Sequence, residues 1–248
     1  MKRMQVKVAS WNIWKSKNVD EVTDFLKKTN ADIICLQEVV QTTTNNVTNN
    51  AAHKISRALN FQYIYHAAVT SDRHETEYDL GNAILSKYPI INSSCHFLSD
   101  VSEYEHNAET EPRNVVIAEI SLEDKTLHVA STHLAYSDYL HPSLLRTKQI
   151  HELVKHIPTS SAILGGDFNN IVTDDELKPI WAFLKSADSQ PTRPTWSVFP
   201  TLKRDWEIKG LEYRIDNIFV TKDINIVNFE LGDSKASDHL PLITTIEV

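Results

Sequence analysis

Two stretches of the chain, "DIICL" at residues 32–36 and "AILGG" at residues 162–166, are almost wholly apolar. A strand with no polar alternation must be covered on both faces, so a sheet with one side open to water does not fit. Further strand-like runs are Val6–Trp11, Ala83–Ser86, Val115–Ile120, Leu127–Thr132, Arg214–Val220 and Leu242–Val248. Between some of them the apolar spacing is helical: Val19, Val22, Phe25 and Leu26; Ile55, Ala58 and Leu59; Leu144, Leu145, Leu153, Val154 and Ile157. Thr173 with Glu176 fits a capping box and predicts a helix start, and "QTTTNNVTNN" at 41–50 reads as a polar loop running into a helix. Helices and strands do not alternate regularly, and residues 83–132 are mostly strand, which suits antiparallel pairing. The pattern predicts an α/β sandwich of sheets covered by helices rather than a regular parallel barrel. With 248 residues, no repeat and no linker-like segment, one domain over residues 1–248 is expected.

A formal net charge of −8 argues against a broad basic surface for non-specific nucleic-acid binding. It leaves room for a local phosphate site, because a bound cation adds charge that the sequence does not count. The cysteines, Cys35 and Cys95, make neither a disulfide framework nor a zinc spacing, and Cys35 reads as a small buried residue. The N-terminus lacks the apolar core of a standard signal peptide, and no stretch is long and apolar enough to span a bilayer. A cytoplasmic, monomeric protein is the expectation.

The polar residues at the strand ends are more informative. Asn12 comes after "VKVASW", Gln37 and Glu38 after "DIICL", and Asn82 opens "GNAILS". His133 ends "LHVASTH", Asp167 and Asn169 come after "AILGG", Asp216 lies within "RIDNIFV", and Asp238 and His239 precede the last strand. Each has an ordinary reading: Gly, Asp and Asn make turns, Glu is usually exposed, and a lone histidine is usually just packed. Asp216 is harder to set aside, since a carboxylate in an apolar strand needs a partner. In an extended chain Asp167 and Asn169 would project to one side, whereas the adjacent Asp238 and His239 would point apart. A distant carboxylate such as Asp216 is then the better orienter of His239, and such a pair favours the imidazolium.

Hard oxygen donors suit Mg²⁺, Mn²⁺ or Ca²⁺, and nothing here argues for catalytic zinc. With two histidines beside them, these residues suit hydrolysis of phosphate esters. No Gly-rich phosphate loop is present.

In order along the chain, Asn12, "LQE", "GNAILSKYPI", "EPRNVVIAEI", "STHL", "GGDFN", "YRIDNIFV" and "SDHLPL" together resemble the endonuclease/exonuclease/phosphatase superfamily, in particular its small bacterial-type metal-dependent hydrolases. The resemblance implies a DNase I-like four-layer α/β sandwich, two facing mixed sheets flanked by helices, with the active site at one end. It implies Mg²⁺ as cofactor, with Mn²⁺ as the alternative, held by Glu38 and Asn12, with Asp238 adding to the site. Asp167 would position or activate the attacking water and Asn169 would bind a phosphoryl oxygen. His239 would contact the scissile phosphate with Asp216 as its partner, and His133 would face the phosphate from a second side. Asn82 and Arg113 fall in matching segments as substrate-binding candidates. Trp14 and His133 stand where the abasic-site nucleases tend to carry Asp and Tyr.

Three functions stay open: a phosphodiesterase or phosphatase acting on a small or lipid ester, a DNA nuclease, and an inactive binding protein on the same fold. No expected site residue is missing, which favours an enzyme. Lys15, Lys17, Lys203, Arg204 and Lys209 could gather at the mouth of the site; Trp196, Phe199 and Trp206 read mainly as packing residues, with an aromatic platform as the alternative. The acidic segment "DRHETEYD" at 72–79 reads as solvated.

Overall fold

Alternation along the strands builds the layers. In β1 (Gln5–Asn12), Val6 and Val8 face one way and Ala9 and Trp11 the other. In β2 (Ile33–Thr44), Ile33 and Cys35 join the first set while Ile34 and Leu36 join the second. Both faces are buried, so the uninterrupted apolar run is explained: one face meets the opposite sheet and the other meets helices. The computed structural model describes residues 4–44, 47–71, 78–105 and 110–248.

The first sheet also contains β3 (Val47–Asn50), β4 (Gln62–Ser71), β5 (Tyr78–Ser86), β14 (Asn225–Leu231) and β15 (Leu242–Glu247), in the order β14-β15-β1-β2-β5-β4 with β3 paired to β2. The second runs β10 (Leu184–Ser186), β13 (Asp216–Thr221), β9 (Ala162–Asp167), β8 (Lys125–His133), β7 (Asn114–Leu122), β6 (Ile90–Phe97). Each is mixed: β1 and β2 are parallel, as are β8 and β9, and the remaining main pairings are antiparallel. A separate hairpin joins β11 (Thr201–Lys203) to β12 (Trp206–Ile208).

Between the sheets lies a core of Val6, Val8, Ile33, Cys35, Ile84, Val116, Ala118, Val129, Ile163 and Ile218. Helices α1 (Val19–Thr29) and α2 (Ala51–Leu59) cover the outer face of the first sheet with Val22, Leu26 and Ile55. On the other side α3 (Leu144–His156) and the short α4 (Lys178–Trp181) supply Ile150, Leu153 and Ile180 against Leu164 and Phe219. Each buried aliphatic side chain contributes about 1.5–3 kcal/mol, so the four layers are held mainly by these three apolar interfaces.

The glycines of "AILGG" are required by close approach. A Cβ on Gly166 would come within 2.4 Å of the Thr132 carbonyl oxygen in β8, and one on Gly165 within 2.9 Å of Ser10 Oγ across the sheets.

Local expectations differ from the structure at two places. Residues 41–44 form the far end of β2 and residues 47–50 form β3, paired from Gln41↔Asn50 to Thr44↔Val47, because β-branched threonines suit exposed paired strands. The predicted capping box is absent. Asp174, not Thr173, accepts the Glu176 N–H at 2.9 Å, and the Glu176 carboxylate takes Arg146 at 2.7 Å and Asn170 Nδ2 at 2.7 Å instead. Of the acidic segment, residues 72–77 lie outside the described residues; Asp79 sits in β5 and accepts from Thr70 Oγ1 at 2.7 Å. No helix among the described residues is long and apolar enough to cross a membrane.

Candidate active site

The C-terminal ends of β8 and β9 and the start of β13 meet at one end of the second sheet. Register alone aligns His133 with Asp167 and Asp167 with Asp216. Asp216 closes on His239: its Oδ2 and Oδ1 lie 2.9 and 3.1 Å from His239 Nδ1. Thr195 Oγ1 donates to Asp216 Oδ2 at 2.6 Å, so both carboxylate oxygens are engaged and the imidazole ring is fixed. Burial alone would lower the His239 pKa, but the carboxylates of Asp216, Asp167 and Asp238 outweigh it and push the value up to about 10. Asp238, next in sequence, lies 4.0 Å from His239 Nε2 and does not orient the ring.

Asp167 is held on both oxygens. Asn12 Nδ2 donates to its Oδ2 and the Asn169 N–H to its Oδ1, each at 2.9 Å. Its Oδ2 also lies 3.4 Å from His133 Nε2 and 3.7 Å from His239 Nε2. Burial first, then the charge of Asp216, raises its pKa to about 7, against the opposing pull of His239, Asn12 and the Asn169 N–H.

Asp167 and Asn169 do point into one site, but by a turn rather than by extended geometry. Asn169 is left-handed, with φ 48°, and the turn closes on Asp167 Oδ1. Arg146, fully buried in α3, steadies this turn by donating to the Asn169 carbonyl at 2.8 Å. Asn169 Nδ2 donates to both the Leu134 carbonyl at 2.9 Å and His133 Nε2 at 2.8 Å. The carbonyl can only accept, so the amide orientation is fixed and His133 Nε2 is an acceptor. His133 is therefore neutral, in keeping with a pKa well below the usual histidine value. Burial is the main cause, with the charges of Arg113, His239 and Lys15 adding to it.

The first sheet contributes the other side. The β2–β5 register slips between Leu36 and Val39, and Glu38 adopts φ 55° at that bulge. Gln37 turns between the sheets to Ser131 Oγ at 3.0 Å, while Glu38 lines the cleft. No side-chain hydrogen bond or ion pair reaches the Glu38 carboxylate among the described residues. Burial, then repulsion from Asp238, raises its pKa, while His239, Lys15 and Arg113 pull the other way. A half-buried carboxylate with no partner, facing a second carboxylate, is a donor set fitted to a hard divalent cation. Asp167, Asp216 and His239 also bring ligand atoms within 4.8 Å of one another, but their hydrogen-bond partners already account for them.

The cleft has a volume of about 470 Å³ and is lined by Glu38, Asp238, Asp167, Asn169, His133, His239 and Arg113. Lys15, Lys203, Arg204, Tyr136, Trp196, Leu80, Glu111 and Asp138 complete its walls. Trp196 is buried and tilts against His239 with ring centroids 6.1 Å apart, Phe199 stacks on Trp14, and Trp206 packs edge-on against Trp196. Lys17 lies over Trp14, and Lys209 does not line the cleft. Three predicted residues stand apart from the open cleft, and Asp216, behind His239, is one of them. Asn12 is fully buried with both amide atoms engaged, its Oδ1 accepting the Trp14 N–H at 3.0 Å. Asn82 lies beneath, beside a small void shared with Glu38, Arg113 and His133, and donates to Asn114 Oδ1 at 2.8 Å. Thr195 is legible in the sequence only as part of "PTW", and no signal there marks it as the partner of Asp216.

The sequence pattern of the endonuclease/exonuclease/phosphatase family matches residues 9–239, and the chain belongs to that family. An endonuclease/exonuclease/phosphatase from Beutenbergia cavernae shares the fold at a TM-score of 0.82 and 18% identity, over 100% of this chain and 72% of that one. TDP2 from D. rerio, solved with a single-strand DNA product, aligns at a TM-score of 0.67 and 17% identity, over 98% and 99% of the two chains. The mannosyl-6-phosphatase Bt3783 of Bacteroides thetaiotaomicron aligns at 0.64 and 14% identity, over 97% and 99%. Among curated proteins, none matches the chain by sequence. The fold is that of the DNase I-like sandwich.

Proposed function

We propose that the protein is a divalent-metal-dependent hydrolase of phosphoric esters, acting on phosphodiesters by in-line attack of water. The observation that carries this reading is the convergence in one solvent-open cleft of Asp167, held by Asn12 and the Asn169 N–H, and His239, held by Asp216, with Asp167 Oδ2 3.7 Å from His239 Nε2. Burial and Asp216 raise the Asp167 pKa to about 7. A base whose pKa lies near the working pH combines the right protonation state with useful driving force.

Asp167 takes the proton of the attacking water as its oxygen bonds to phosphorus. The ester oxygen leaves with the bonding pair and is protonated from solvent. His239 donates Nε2–H toward a phosphoryl oxygen while Nδ1–H stays on Asp216. Asn169 transfers its N–H from His133 to the phosphoryl group. Arg113 and Lys15 add positive charge from the cleft wall. Mg²⁺ or Mn²⁺ held by Glu38 and Asp238, with Asn12 behind them, would supply charge against the developing phosphoryl negative charge. Asn12 would first have to give up a present hydrogen bond, and it serves as readily by holding Asp167.

Cations line the cleft from separate elements, Lys15 after β1 and Lys203 and Arg204 at the β11–β12 hairpin, where they can meet the negative charge of a phosphate ester. The same cations beside Tyr136 and Trp196 favour DNA as a second reading of the substrate. The test is p-nitrophenol release from bis(4-nitrophenyl) phosphate and nicking of supercoiled DNA, each with Mg²⁺ or Mn²⁺, with EDTA, and with Asp167→Asn. Metal-dependent turnover lost in Asp167→Asn supports the reading, and nicking adds DNA to it. Turnover that survives EDTA or Asp167→Asn overturns it.

A further inference from the structure

Between β1 and α1 the chain passes through three consecutive left-handed residues, Trp14 (φ 49°), Lys15 (φ 50°) and Ser16 (φ 56°), none of them glycine. Such backbone is costly for residues with a Cβ, and a run of it persists only where its surroundings hold it. The holding contacts are present. Asn12 Oδ1 accepts the Trp14 N–H at 3.0 Å, and the Lys17 N–H closes onto the Trp14 carbonyl at 3.1 Å. Lys17 Nζ lies 3.6 Å from the Trp14 ring centroid, and Phe199 stacks on Trp14 at 5.7 Å.

This turn delivers the Ser16 hydroxyl. It accepts the Val40 N–H at 2.9 Å and donates to the Glu38 carbonyl at 3.4 Å. One oxygen therefore bridges both sides of Val39, at the end of the slipped register where Glu38 takes its own left-handed conformation. The Glu38 side chain has no hydrogen bond or ion pair among the described residues, so no such contact aims it and the backbone at the bulge gives it its starting direction. The same turn carries Lys15 into the cleft, where its charge favours the ionised form of Glu38.

We propose that Ser16 is a positioning residue that holds the β2 bulge so that the Glu38 carboxylate faces the metal site. The inference rests on the reading of Glu38 as a metal ligand. Partners one step behind a metal ligand commonly govern affinity because they fix the ligand's direction before the ion arrives.

Ser16→Gly separates this role from a merely structural one. Glycine accepts the left-handed backbone at no steric cost, so the variant loses the hydroxyl while its turn is relieved of strain. Mn²⁺ is titrated calorimetrically into metal-free wild type, Ser16→Gly, Ser16→Thr and Glu38→Ala, with thermal unfolding measured alongside. Ser16→Gly should bind Mn²⁺ about tenfold more weakly without a lower melting temperature, while Ser16→Thr, which keeps the hydroxyl but puts a β-branched residue at a left-handed position, should melt lower and still bind Mn²⁺ more tightly than Ser16→Gly. Should Ser16→Gly unfold, Ser16→Ala supplies the same comparison. Wild-type affinity in the hydroxyl-free variant, with binding lost in Glu38→Ala, overturns the role of Ser16. Wild-type affinity in Glu38→Ala overturns the reading of Glu38 and the proposal with it.

Discussion

The two sides of the cleft are built on opposite plans. On the side of the second sheet the two strand-end carboxylates are answered on both oxygens: Asp216 by His239 and Thr195, Asp167 by Asn12 and the Asn169 N–H. On the side of the first sheet Glu38 faces Asp238 with no donor on its carboxylate among the described residues, and burial and repulsion raise its pKa. A network that answers itself can hold and move protons at fixed positions. A carboxylate without a hydrogen-bond donor, its pKa raised by burial and by Asp238, gains most from an arriving cation. On the proposed reading, proton transfer falls to one side of the cleft and cation binding to the other.

The strongest way to break this comparison is Asp167→Asn, which should lower kcat about 10³-fold while circular dichroism and melting temperature report a folded protein. Asp216→Asn should cost about 10²-fold in kcat and also move a titration. With that charge gone, His239 loses its largest carboxylate support, and the alkaline limb of the pH–rate profile shifts downward. In the wild type the rate should rise as Asp167 loses its proton near pH 7 and fall as His239 loses its proton near pH 10. The same shift sets the sign for stability. His239 holds its proton more tightly folded than unfolded, so its contribution is full below its ordinary value of about 6.5 and is lost as the pH rises through about 10. The melting temperature should therefore decline between pH 7 and 10, and less so in Asp216→Asn.

Glu38→Ala should weaken Mn²⁺ binding at least about tenfold in a calorimetric titration, with the fold intact. The smallest effect belongs to Thr195→Val, which removes the hydroxyl behind Asp216 and keeps its shape. It should destabilise the protein by about 1–2 kcal/mol in denaturant unfolding, because a buried carboxylate oxygen loses one donor.

The central strands are legible in the sequence because burial on both faces leaves an apolar run. β4, β6 and β14 are harder to see. They end the two sheets, and a strand such as "IINSSCHF" in β6 is mostly exposed or half-buried. The residues of the site are legible as polar punctuation after apolar strands, and the pairing of His239 with Asp216 is inferred from the divergence of adjacent side chains. Three features are not legible. The bulge that turns Glu38 into the cleft depends on a register slip between β2 and β5, which no local pattern encodes. The neutrality of His133 depends on an amide fixed by the Leu134 carbonyl. Asn82 reads as a substrate contact in the sequence; no local pattern shows that its Nδ2 donates to Asn114 across the two sheets while its Oδ1 is buried without a partner among the described residues.

The division of labour is tested most directly by titrating Mn²⁺ into Asp167→Asn beside Glu38→Ala. If the two sides do separate work, Asp167→Asn binds Mn²⁺ within about threefold of the wild-type Kd, well inside the tenfold or greater loss that removing a ligand brings, and fails only in turnover. A loss of affinity in Asp167→Asn as large as in Glu38→Ala would contradict the account, because Asp167 would then belong to the cation and not to the water.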